Sequence, residues 1–216
     1  MIKPDDKTSS ATIIDNALIT FVGGLSRDER RDAKFSIRLA RWAADSKYQF
    51  ATHLDDWFLH FAATLKFLGW IPFGDVITEI RHPIFHGAVA NAYLSHLVSH
   101  ESPQQIKITQ SAFNALQADD AALSMFSLEG QGGNFQILPV ERNARQQLKL
   151  TVNNFRLYSR SAVEEFLFFE SEETETKLIQ HYCRFLLDRT VFEDKRAFLE
   201  RRIKEISLSE IELKLQ

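Results

Sequence analysis

Thr52–Trp70, THLDDWFLHFAATLKFLGW, is the stretch on which the reading of the fold turns. Leu54, Trp57, Phe58, Phe61, Leu65 and Leu68 recur at the 3.6-residue period of an amphipathic helix. Leu59, Ala62, Ala63 and Phe67 widen the apolar stripe, which predicts a helix enclosed on most sides. Thr52 and Asp55 have the spacing of an N-terminal capping pair, and Gly69 before Pro72 supplies a stop. The stretch reads as the central helix of the core.

Working outward, Ser26 and Glu29 form a second capping-box pattern opening a helix over 27–46. Phe35, Leu39, Trp42 and Ala43 make its apolar face, and Arg27, Arg30, Arg31, Lys34, Arg38 and Arg41 the opposite one. Residues 11–22 read as a short helix ended by Gly23 and Gly24, and residues 1–10 as a flexible terminus. On the other side, GWIPFG at 69–74 reads as a turn, 75–81 as helix-like, and His82-Pro83 as a break. A fresh helix is expected over 83–99. Ser102-Pro103 is a third start signal, but IKIT at 106–109 alternates like a strand, so the firm helical reading covers 110–126.

Gly130 to Gly133 reads as a linker. Beyond it, Phe135, Ile137 and Val140, then residues 147–158, 166–169 and 177–187, alternate as strands of an antiparallel meander. ESEETE at 170–175 reads as a hairpin loop, Asp188 or Thr190 as the cap of a last helix, and IELKLQ as an edge strand. The expected fold class is therefore α+β: a helical N-terminal subdomain of five to six helices over 11–129, packed on a small C-terminal antiparallel sheet with one terminal helix over 134–216.

The 216 residues are 44% hydrophobic and 25% charged, ordinary for a globular protein with a single core. A net charge of −3 argues against nucleic acid as a partner, which needs a basic footprint. The single cysteine, Cys183, excludes an intramolecular disulfide framework and a Cys-rich zinc site. The apolar run at 17–22 is too short to span a bilayer and is preceded by acids, unlike a signal peptide. The expectation is a cytoplasmic protein, or one exported without a conventional signal.

Six of the seven histidines fall between residues 53 and 100. His82 and His86, His96 and His100, and Asp56 and His60 are each four apart, which on a helix places two metal ligands on one face. No Glu stands between the members of a pair as in HExxH, and Pro83 interrupts the first pair. Polar-edge histidines with one hydrogen bond each are the plainer account. Arg30, Arg31, Lys34, Arg38 and Arg41 are candidates for contact with a partner or an anionic surface, although interleaved acids make a solvated, salt-bridged face the plainer account there too. His181 and Cys183 share a strand face without the contact a nucleophilic pair needs. Phosphate-binding glycine loops and the Gly-x-Ser-x-Gly elbow are absent.

With no catalytic signature and no implied cofactor, three function classes remain. The first is a non-enzymatic protein-interaction or self-assembly role, for which abundant aromatics supply anchors. The second is a membrane-engaging, toxin-like effector using the aromatic helices of residues 11–100. The third is a metal-dependent enzyme using the histidines of 53–100.

Overall fold

A computed structural model describes residues 8–50, 52–74, 78–82, 87–124, 132–158, 167–168, 176–207 and 209–215. In chain order the elements are β1 (Ser10–Ile14), β2 (Ala17–Phe21), α1 (Arg27–Asp45), α2 (Leu54–Phe67), β3 (Trp70–Pro72), β4 (Thr78–His82), α3 (Val89–His100), α4 (Pro103–Gln117), α5 (Asp120–Ser124), β5 (Gly132–Arg142), β6 (Leu148–Tyr158), β7 (Lys177–Leu187), α6 (Arg189–Ile203) and β8 (Glu210–Leu213).

All eight strands join one sheet in the order β3-β7-β6-β5-β2-β1-β8, with β4 pairing β7 beyond β3. Every pairing is antiparallel except that of β2 with β5. The helices lie on both faces. Buried side chains of α1, α2 and α6 share one core with Ile19, Phe21, Val140, Leu150, Val152 and Phe185. Those of α3, α4 and α5 share a second with Ile13, Leu18, Ile137, Phe155 and Leu157. Strand alternation assigns each residue to one face or the other, so the protein is α+β in three layers.

That corrects the expected fold class. The sheet is neither small nor C-terminal, because residues 10–21 form a hairpin and not a helix. Ile14 pairs with Ala17 across a two-residue turn, and Asp15 there adopts φ 49°, a conformation Asp tolerates better than most residues. Both strands lie between helical layers with every residue but Ser10 buried, the polar Thr12 and Thr20 included, and at five residues each they are too short for a period of two to stand out. Two further strands replace the expected turn at 69–74 and the helix-like segment at 75–81. β3 and β4 lie end to end along the outer edge of β7, whose 11 residues offer more backbone than one short strand can pair. Gly69 makes the transition from α2 to β3 at φ 92°, and a Cβ there would lie 3.0 Å from the Phe192 backbone nitrogen.

The Ser26–Glu29 capping box forms as expected: Ser26 N–H donates to Glu29 Oε2 (2.8 Å) and Glu29 N–H to Ser26 Oγ (3.2 Å). The Thr52–Asp55 pair does not. His53 is the cap of α2 and makes no capping bond, while the Thr52 hydroxyl lies 2.8 Å from His53 Nδ1. Ser102 does cap α4, accepting from Gln105 N–H, so residues 106–109 are helical despite their alternation. Gly132 and Gly133 lie in β5. Residues 83–86, 130–131 and the 170–175 loop are outside the described residues, as are Phe166 and Phe169 of the expected aromatic strand, and Leu167 and Phe168 form a turn.

Candidate functional site

Several polar groups are consumed in holding the layers together. Glu29 of α1 accepts from Arg142 of β5 (2.8 Å) and Arg189 of α6 (2.8 Å), and Asp32 accepts a two-toothed contact from Arg196 (2.6 and 2.9 Å). Burial raises the Glu29 pKa, but the Ser26 backbone N–H and Arg142 outweigh it and hold the carboxyl below its ordinary value. On the opposite face Lys149 of β6 bridges Glu101 and Glu141, each at 2.5 Å, while Thr151 donates to Glu101 and Ser102 to Glu141. Burial, with the neighbouring Glu141 charge, pushes the Glu101 pKa up. For Lys149 the pull of the two carboxylates exceeds the cost of burial and raises it. These are ties between the α3–α4 corner and the sheet.

The basic side chains singled out on α1 are also engaged. Arg30 donates to Ser10 Oγ (2.6 Å) and the Thr8 carbonyl, Arg31 pairs with Asp28 (3.1 Å), and Lys34 and Arg38 reach Glu210 of β8 (2.8 and 3.4 Å). Arg41 is buried, donating to Gln136 (2.6 Å) and Asn16 (2.5 Å) beside the Trp57 ring.

Among the histidines, His82 lies in β4 and not on a helix. His96 of α3 sets its ring edge-on to Tyr182 at 5.1 Å. His60 of α2 faces Tyr48 at 5.8 Å, and burial with the nearby Lys47 lowers its pKa. Asp56 is exposed in the first turn of α2. His86 is outside the described residues, and His100 ends α3.

Among the described residues one group of three brings potential metal-ligand atoms within 4.8 Å of one another: Asp55, Glu79 and His181. It unites α2, β4 and β7. His181 Nε2 lies 3.2 Å from Asp55 Oδ1 and 3.6 Å from Glu79 Oε2, and the Phe58 ring stacks on the imidazole at 5.0 Å. Burial lowers the His181 pKa more than the two carboxylates raise it, keeping the ring neutral. Only His181's place on the inward face of its strand was readable beforehand. Asp55 reads as a helix cap, and Glu79 stands in a segment with the appearance of a helix. Cys183, one turn of the pleat from His181, is buried with its thiol pKa pushed up to about 11, chiefly by burial. A thiol in that state is no nucleophile.

The other outstanding feature is apolar. α2 buries Leu54, Trp57, Phe58, Phe61, Ala62 and Leu65, as its period requires. It is not enclosed, however: Leu59 (55% exposed), Ala63 and Phe67 (49%) line its outer face at four-residue spacing. The stripe continues into Val191 of α6 (37%), beside Gly69, whereas Ile71 of β3 (51%) points to the opposite face of the sheet, because its neighbour Trp70 is buried in the core beneath α2. Phe67 meets Phe198 of α6 edge-on at 5.6 Å, with Lys195 Nζ 5.0 Å from its ring and Arg201 over Phe198 at 6.0 Å.

No protein-family model and no curated protein match the chain. Two solved structures are distantly similar in fold. One is the structure of the Evf virulence factor, at 8% identity and a TM-score of 0.46, covering 88% of this chain and 82% of that one. The other is a delta-endotoxin, at 12% identity and a TM-score of 0.45, covering 80% and 82%. Likenesses this distant assign no residue a role.

Proposed function

We propose that the protein engages anionic lipid surfaces through the edge formed by α2 and α6. The observation that carries this reading is the exposed stripe Leu59, Ala63, Phe67 and Val191, contributed by two separate elements, with Asp55 and Asp56 one turn before Leu59 and cations around its Phe67 end. Scattered exposed apolar residues are ordinary, whereas aligned ones at the edge of a fold mark a contact surface. The charge around it selects the partner. Lys66 follows the stripe on α2, and Lys195 and Arg201 lie against its rings, with Asp194 as the acid on the same side of α6. Glu193 and Glu200 fall around the helix from Val191, at 100° per residue. Aromatic residues flanked by lysine and arginine suit the boundary of acyl chains and negative headgroups.

No helix among the described residues is long and apolar enough to cross a membrane. The membrane-engaging surface is thus narrower than the aromatic helices of residues 11–100, and residues 10–21 belong to the sheet. Flotation with neutral vesicles, and with vesicles containing phosphatidylserine, tests the proposal. Binding is expected to require the anionic lipid and to weaken as salt rises. Equal recovery with neutral vesicles, or none with anionic ones at low salt, overturns it. Light scattering without lipid separates this from self-assembly, which would bury the same stripe between copies of the chain.

A further inference from the structure

We propose that Asp55, Glu79 and His181 form a binding site for a single divalent transition-metal ion of the zinc type, at the seam between the first turn of α2 and the β4–β7 edge. The site is not a bare acidic cluster, because it contains a nitrogen ligand that is itself buried, His181 being 3% exposed. One ion held at about 2.1 Å by nitrogen and oxygen keeps its ligands about 3.0 to 3.4 Å from one another. The observed separations from His181 Nε2, 3.2 and 3.6 Å, are close to that range before any adjustment.

The ring is held ready. Phe58 stacks on its face at an interplanar angle of 18°, and the β6 and β4 neighbours flank its strand. Glu79 divides its oxygens: Oε1 accepts from Arg81 while Oε2 faces His181. Arg81 therefore orients the carboxylate from outside without occupying the ligand oxygen, as outer partners of metal ligands commonly do. Asp55 lies on the solvent side with its side chain 67% exposed, so an ion has an entry path and keeps open coordination positions for water. The imidazole nitrogen favours zinc, copper, nickel or iron over calcium and magnesium, which take oxygen ligands.

One feature limits the affinity. His181 Nδ1 is buried with no hydrogen-bond partner among the described residues, whereas ligating histidines usually donate from that nitrogen. A missing partner of this kind weakens binding about 10- to 100-fold. Micromolar affinity is expected, not the nanomolar range of a fully supported site.

Calorimetric titration of the chelator-treated, full-length protein with Zn²⁺ tests this, with thermal melts in parallel. One saturable equivalent is expected at micromolar affinity, with a Tm that rises with Zn²⁺ concentration. Asp55→Asn, at an exposed position, and Glu79→Gln should each weaken binding at least tenfold. His181→Gln should abolish it, and the two carboxylate variants keep the test meaningful if this buried one unfolds. Absence of saturable binding up to about 1 mM Zn²⁺, at which even a weak site would register, overturns the proposal. So does binding undiminished in Asp55→Asn and Glu79→Gln, which would place the ion on other histidines.

Discussion

Phe67→Ser is the substitution that bears hardest on the lipid-facing edge. Phe67 is 49% exposed on the free protein. A phenylalanine side chain offers about 200 Å², so about 100 Å² remains to be removed from water when the ring enters the acyl boundary. At about 25 cal/mol per Å² this is worth about 2.5 kcal/mol, or on the order of 70-fold in the vesicle partition constant. The same substitution also weakens the fold, because the buried half of the ring, against Phe198 and Lys195, is worth about 2.5 kcal/mol by the same coefficient, so binding is compared at a temperature where both proteins are folded. The assay is flotation across a lipid series, fitted to a partition constant, with a thermal melt on the same sample. The expected result is a loss near two orders of magnitude with Tm lowered by about 5–10 °C. Lys195→Ala should lose about 1 kcal/mol of binding, with a shallower salt dependence. A Phe67→Ser protein that is folded and binds as the wild type does refutes the assignment of this edge. If its mass in the absence of lipid falls from oligomer to monomer, the stripe is an assembly surface instead.

Glu29→Gln should cost about 2 kcal/mol at pH 7, since it leaves Arg142 and Arg189 without their carboxylate. Because the folded-state pKa of Glu29 is held below 4.5, its contribution is present above that pH and lost as pH falls through the folded value. Denaturant melts of the two proteins should therefore converge as pH falls below 4.5 and through the lower folded-state value; stabilities that stay equally far apart throughout that descent mean that the loss is one of packing. Gly69→Ala should cost at least about 2 kcal/mol, combining the left-handed backbone with a Cβ pressed against Asp188 and Phe192. Urea unfolding measures it, and a neutral effect would show that α2 meets β3 by another path. Cys183, with its thiol pKa raised to about 11, should stay unmodified by a disulfide reagent at pH 8 in the native protein and react at once in denaturant. Fast native labelling would mean that the α2 layer opens readily.

What could be read from the sequence follows from where each element's information lies. α1 and α6 announce themselves by caps, because Ser26 and Asp188 act within three residues of themselves, whereas the start signal at Ser102 is obscured by the alternation at 106–109, so the first turns of α4 are not legible. β6 and β7 alternate over 11 residues, and that length outweighs local ambiguity. β1 and β2 carry no such signal: each is only five residues long, all but Ser10 are buried whether apolar or polar, and Ala17 to Val22 has no period to show. β3 and β4 are strands because β7 offers them an edge, which is a fact about residues 96 to 117 positions away. The acid–histidine cluster is hidden for the same reason. Asp55 and Glu79 acquire their chemistry from His181, and neither has a neighbour in sequence that signals it. The i, i+4 histidine pairs are visible because they are local, yet His82 stands in a strand, where that spacing lacks its helical meaning.

α2 is where these threads meet, and its two ends differ in kind. At 14 residues it is about 20 Å long, so its first turn and its last can serve separate contacts. The first turn has no side-chain cap and places Asp55 on the solvent side of His181. The last is fixed by Gly69, whose carbonyl accepts from Asp188 N–H at the start of α6. Between them Trp57, Phe61 and Leu65 are fully buried, which makes the helix a rigid part of its layer. An apolar stripe on such a helix is presented without unfolding anything, and its exposure is a property of the native state. This distinguishes a lipid-docking edge from a buried segment released by rearrangement: the first needs only the surface already present, while the second would have to break a core containing Trp57, Phe58 and Phe61.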